Sequence, residues 1–202
     1  MTGERHRNDG AGWEYLHVVI DDHSRLAYVE RHPCENAETN AATLERAIAW
    51  FASLRLEPPE AVMTDNAMVY RHSRRFAEIL RSHGARHILT PPYTPRWNGK
   101  AERFIQTLQR EWAYAHRWES STERLRSLPS FLRYYNRRRP HSSLGDRPPI
   151  SRSQRPWVGQ LVAHTPDGGG RRPSAAYAIA WPGCGATAAD VDHAVEAFAL
   201  ED

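Results

Sequence analysis

The sequence predicts an α/β protein built on a mixed sheet, and three observations carry that expectation. Strand-like and helix-like stretches follow one another in the order strand, strand, helix, strand, helix, strand, helix, helix. The first two strand segments are joined by a short polar turn, the signature of an antiparallel hairpin. At 202 residues, 40% hydrophobic and 25% charged, the chain can bury a sizeable core, which excludes collagen, a coiled coil and wholesale disorder.

The elements are justified in chain order. Tyr15-Leu-His-Val-Val-Ile20 reads as a buried strand that runs into the turn formers Asp21-Asp22-His23-Ser24. Leu26-Ala-Tyr-Val-Glu30 completes the hairpin. From Glu38 to Leu54, apolar residues at Ala42, Leu44, Ala47, Ile48 and Phe51 recur at helical spacing, ending before Pro58-Pro59. Ala61-Val-Met-Thr64 is a short strand leading to Asp65-Asn66. Ser73 is placed to cap a helix running to His83, with Gly84 as its stop. Arg86-His-Ile-Leu-Thr90 is a further strand, closed by Pro91-Pro92-Tyr93-Thr94-Pro95. Ala101, Phe104, Ile105, Leu108 and Trp112 form one stripe of a helix from Asn98 to about His116. Ser121 opens a last helix through Leu125, Leu128, Leu132 and Tyr135.

The expected organisation is a polar leader over 1–12, a core over 13–151 and an unrelated, poorly ordered tail over 152–202. Thr165-Pro-Asp-Gly-Gly-Gly-Arg-Arg-Pro173 has linker composition, and a short helix is expected from Ala188 to Leu200. The longest apolar run, Ala175 to Trp181, falls far short of the ~20 residues that span a bilayer. Cys34 and Cys184 are isolated thiols, which argues for a reducing compartment. The expectation is a cytoplasmic protein with no membrane partner.

The net charge of +3 hides an asymmetry: residues 1–70 carry −6, residues 71–150 carry +11 and residues 151–202 carry −2. Every basic residue but Lys100 is arginine, whose planar fork suits phosphate. The cluster points to a polyanionic partner, although the preference for arginine over lysine also follows from GC-rich coding.

Two carboxylates are placed for chemistry. Asp65 ends a strand, and Glu102 lies in the first turn of a helix announced by Asn98-Gly99. Carboxylates meeting at a sheet edge can hold Mg²⁺, which prefers oxygen ligands, and two such ions support phosphodiester chemistry. By spacing alone the plainer reading is the stronger: Asp65 as a turn former and Glu102 as a first-turn residue favoured by the helix dipole.

Four stretches in order change that balance. They are Met63-Thr-Asp-Asn66, then Pro92-Tyr-Thr-Pro-Arg-Trp-Asn-Gly-Lys-Ala-Glu-Arg-Phe104, then Tyr134-Tyr-Asn-Arg-Arg-Arg-Pro-His141, then Leu144-Gly-Asp-Arg-Pro-Pro149. Together with the Tyr15–Glu30 hairpin they resemble the integrase catalytic core of bacterial insertion-sequence transposases of the DDE group, the IS481-like branch above all. The resemblance covers roughly residues 13–151.

The resemblance implies a ribonuclease H-like fold, and it places the group's second and third catalytic carboxylates on Asp65 and Glu102, as ligands of two Mg²⁺ or Mn²⁺ ions. It implies DNA integration and transposition as the function, transposon ends and target DNA as partners, and a homo-oligomer. Ala67 stands where the group usually has glycine. The group's first catalytic aspartate belongs to a strand upstream of the Tyr15 strand, and the chain is expected to begin after it. Asp9 lies in the polar leader, and Asp21 and Asp22 resemble a turn. The reading is therefore a truncated core, truncated at its amino terminus and inactive as it stands. The alternative is a catalytically dead nucleic-acid-binding or dimerising fragment.

For DNA contact the candidates are Asn66, Lys100, Arg103, Gln106, Gln109, Arg137 and Arg138, with Arg133 and Arg139 on the same basic helix end. Lys100, Arg103, Gln106 and Gln109 could equally be ordinary surface residues, whereas the arginines at the helix end, which also suit its dipole, read as DNA contacts within the positive block. Trp97 and Trp112 read as packing residues.

Overall fold

The computed structural model describes residues 13–91, 99–153, 160–164 and 179–180. Chain order is β1 (Trp13–Asp21), β2 (Ala27–His32), α1 (Ala37–Ser53), β3 (Ala61–Thr64), α2 (Met68–Arg71), α3 (Arg74–Ser82) and β4 (Arg86–Leu89), followed by α4 (Gly99–Leu108), α5 (Ser121–Arg137), β5 (Gln160–His164) and β6 (Ile179–Ala180). The expected leader over 1–12, the Pro92–Asn98 loop with Trp97, the linker of 165–173, the helix from Ala188 and Cys184 lie outside the described residues.

The sheet order is β2-β1-β5-β3-β4, with β6 pairing β1. β1 pairs β2 and β5 antiparallel, while β3 pairs both β4 and β5 in parallel, so the expected mixed sheet is present. β1 is covered on both sides, so His17, Val18, Val19 and Ile20 are all buried. Alternation along the strand divides its side chains between two layers. Leu16, Val18 and Ile20 join Met63 and the inner faces of α4 and α5. Val19 and Tyr28 join Val62 and the inner faces of α1 and α3. The result is a three-layer sandwich with helices on both faces of the sheet.

Local chemistry sets the helix ends. Asn36 and Thr39 form a reciprocal capping box on α1. Ser73 Oγ accepts the Phe76 N–H at 3.2 Å, and Gly84, at φ +65°, takes the left-handed turn after α3. α4 ends sooner than its stripe suggests: a π-helical turn, Gln109–Ala113, follows it. The wider turn buries Trp112 and Ala113, and the indole N–H donates to Ser127 Oγ at 2.8 Å.

The region expected to be an unrelated tail differs most from expectation. β5 comes from it and sits in the middle of the sheet, between β1 and β3, where the sequence leads one to expect a missing first strand. Periodicity cannot find a strand of five residues flanked by Pro and Gly, because its partners are set by long-range pairing.

Candidate functional site

Asp65 follows the last residue of β3. Val62 faces the α1 layer and Met63 the α4 layer, so continued alternation assigns Asp65 to the α4 side. Thr64 anchors the turn: its carbonyl accepts the Thr90 N–H at 2.9 Å and the Thr90 hydroxyl at 2.8 Å. The Thr64 hydroxyl donates to the Asp65 carbonyl at 2.9 Å and lies 2.9 Å from His87 Nε2. One oxygen of the half-buried Asp65 carboxylate accepts the Ala67 N–H at 3.0 Å. Ala67 has φ −60° and ψ 141°, ordinary angles for alanine, so the turn has no need of glycine here. The side-chain amide of Asn66, a candidate for DNA contact, donates to the Thr90 carbonyl and ties the turn to the end of β4.

Glu102 is half-buried in the first turn of α4, where the helix dipole favours a carboxylate. Its neighbours Ala101, Phe104, Ile105 and Leu108 are buried against Val18, Ile20 and Met63. Glu102 therefore stands in the layer that Asp65 borders. Lys100, expected at phosphates, is engaged differently: its ammonium pairs with the Asp22 carboxylate and donates to the Asp22 carbonyl at 3.3 Å. Positions two apart on a helix leave on nearly opposite flanks, so Lys100 fastened to the β1–β2 turn leaves Glu102 on the flank away from that turn. Asp21 is the last residue of β1 and Asp22 opens the turn. Asp21 is fully buried and accepts the Ser24 N–H at 2.8 Å. Among the described residues, no group of three or more His, Cys, Asp and Glu side chains could hold a metal ion.

On the basic side, Arg103, Gln106, Arg133, Arg137 and Arg138 are exposed, and Gln109 is half-buried. Arg139 is engaged within the fold. Its guanidinium grips Glu111 through two bonds of 2.7 and 2.6 Å, which holds the Glu111 carboxyl below its usual range.

Several residues of the recognised stretches turn out to hold the fold. Tyr135 packs edge-on against Phe104 and His141, with ring centroids 4.7 and 4.8 Å apart. Burial, and then the Arg139 charge, lower the His141 pKa to about 4. The buried Asn136 side chain bridges to β2: its carbonyl accepts the Ala27 N–H at 2.9 Å and its amide donates to the Ala27 carbonyl at 2.8 Å. These partners are 109 positions apart, so no local signal reveals them. Sequence reasoning also missed a polar knot under α1. The Glu30 carboxylate accepts two 2.6 Å bonds from Arg46, a 3.0 Å bond from Thr43, and contacts with His32 and Tyr28. Burial would raise the Glu30 pKa, but the Arg46, His32 and Tyr28 hydrogen bonds outweigh it and hold the pKa at about 2. The same burial, reinforced by neighbouring His32, pushes His17 down to about 3. No described helix is long and apolar enough to cross a membrane.

Comparison with known proteins agrees with this architecture. Two family models, each described as "Integrase core domain", match residues 2–95 and 83–149. An uncharacterised protein of Caenorhabditis elegans is 34% identical over 135 residues, which are 67% of this chain and 10% of that protein. The uncharacterised 39.2 kDa protein of insertion element IS476 from Xanthomonas euvesicatoria is 36% identical over 91 residues, 45% of this chain and 26% of that protein. The chain thus spans about a tenth to a quarter of the length of these curated relatives. The crystal structure of the bovine immunodeficiency virus (BIV) integrase catalytic core shares the fold, with a TM-score of 0.51 at 23% identity, over 67% of this chain and 82% of that one. The two matched models run through β1–β4, α4 and α5, and together they place the chain in the integrase core domain family.

Proposed function

We propose that this chain provides the catalytic core for DNA transposition, with Asp65 and Glu102 as its divalent-metal carboxylates. The observation that carries the proposal is their shared layer: Asp65 continues the parity of Met63, and Glu102 adjoins the buried face of α4 that packs on Met63. The donor chemistry fits Mg²⁺ or Mn²⁺ held by two carboxylates, with water and DNA phosphate completing the shell. When bound, such ions supply charge neutralisation at the scissile phosphate. The protein's own part is to hold Asp65 rigidly through Thr64, Thr90 and Ala67, and to set Glu102 at a helix start.

Arg103, Arg137 and Arg138 are the proposed phosphate contacts, because they are exposed within the +11 segment. Transposon ends and target DNA are the proposed partners, and the working state is a homo-oligomer of the IS481-like kind. Mn²⁺ titration of the protein, followed by calorimetry, tests the site: Asp65→Asn and Glu102→Gln should each weaken binding at least tenfold. If both variants bind as the parent does, the site assignment is wrong.

A second reading rests on the exposed Arg103, Arg137 and Arg138 of the +11 segment alone. It is a core that binds DNA without cutting it. Retained DNA affinity with no metal-dependent joining of a terminal-repeat oligonucleotide to plasmid would favour this reading over the first.

A further inference from the structure

The middle of the sheet is closed by a segment that arrives late in the chain. β5 has five residues and follows α5 and the short helical turn Pro149–Arg152, yet it lies between two strands from the first third of the sequence. Its register is determined on both sides at once. Val162 is level with Ile20 of β1 and Met63 of β3, and Leu161 is level with Asp21 and Val62. The partners it covers, Val18, Val19, Ile20, Asp21, Ala61, Val62 and Met63, are all 5% exposed or less.

Buried backbone N–H and C=O groups need hydrogen-bond partners. Without β5, β1 and β3 would stand two strand spacings apart, about 9–10 Å, too far to pair with each other. The β1–β2 hairpin and the β3–β4 pair would then share no ladder, and the sheet between the two helical layers would be split. Continuity of the sheet therefore depends on Gln160–His164.

We propose that residues 160–164 are a complementing strand, seated in a slot that accepts an extended segment antiparallel to β1 and parallel to β3, and that the same segment can enter this slot from a second molecule. The inference is independent of the metal reading, since it concerns only backbone pairing. The occupant is this chain's own Gln-Leu-Val-Ala-His, because among the described residues this segment meets both neighbours in register. Strand addition of this kind draws its affinity from main-chain hydrogen bonds. It also makes core assembly conditional on a part of the chain that ordinary core motifs do not include.

Amide hydrogen exchange on the full chain tests the proposal. Amides of 161–163 should exchange at least about 100-fold slower than in a free peptide of residues 158–166, in step with those of β1 and β3. Exchange at the free-peptide rate would overturn the assignment. Val162→Pro removes a ladder donor from a central strand. It should cut protection at 18–21 and 61–63 by about tenfold or more, and adding the 158–166 peptide should restore it. A peptide carrying the same proline should not restore it. Unchanged protection in the Val162→Pro chain, or no rescue by the parent peptide, would refute the slot. If the variant loses its fold, recovery of its circular dichroism by the parent peptide supports the slot, and failure to recover counts against it.

Discussion

Asn136→Leu tests the structural part that the Tyr134-Tyr-Asn136 stretch plays. Asn136 is 4% exposed and hydrogen bonds to both the N–H and the carbonyl of Ala27, at 2.9 and 2.8 Å. β2 is an edge of the sheet, so these two groups have no neighbouring strand on that side. The amide side chain takes the place of one more residue of β-ladder, supplied by a helix. Leucine matches its shape but leaves the Ala27 donor and acceptor buried and unpaired. Each orphaned group costs about 1–3 kcal/mol, so the expected loss is about 4 kcal/mol. For a chain of this size that is a fall in melting temperature of about 8–16 °C, at ~2–4 °C per kcal/mol. Urea denaturation followed by far-UV circular dichroism measures it. Asn136→Asp should be no milder, because it keeps an acceptor for the N–H but sets a carboxylate oxygen against the Ala27 carbonyl. A loss below about 1 kcal/mol for Asn136→Leu, with an unchanged denaturant slope, would show that water or a shifted strand satisfies Ala27, and the edge-capping argument would fail.

Other expectations concern pH, DNA and a helix cap. His17 and His141 have folded pKa values near 3 and 4, below the ordinary 6.5, so the unfolded chain binds protons more readily. Their contribution is complete above pH 6.5 and declines as the pH falls toward those values. Glu30, held near 2 against an ordinary 4.5, adds a loss below pH 4.5. Denaturant midpoints measured from pH 7 to pH 3 should therefore fall steadily, and a flat profile would contradict the burial of these groups. Arg137→Gln together with Arg138→Gln should weaken DNA binding and reduce the slope of log K against log salt by about 1.8; an unchanged slope removes them from the interface. Ser73→Ala removes the bond to the Phe76 N–H and should cost about 1 kcal/mol in thermal unfolding, with no change in DNA affinity.

Much of the fold was legible because its signals are local. Helical spacing locates the inner faces of α1, α4 and α5, Ser73 marks the start of α3, and the Asp21–Ser24 turn announces the hairpin. The positions of Asp65 and Glu102 were legible in the same way, as the end of a strand and the start of a helix. What each polar side chain does was much less so. Lys100 and Arg139 read as phosphate ligands, yet they meet Asp22 and Glu111, partners brought near only by the tertiary fold.

The sequence by itself determined the order and type of the main elements, the family and the two candidate carboxylates, since each rests on periodicity, capping or a contiguous motif. Only the tertiary structure decided that Asn136 completes the edge at β2, that Glu30 is held ionised among buried groups, and that Gln160–His164 closes the centre of the sheet. The physical reason is range. Local propensity acts over a few residues, whereas strand pairing and the satisfaction of buried polar groups join segments a hundred or more positions apart, and the chain registers those pairings only once it is folded.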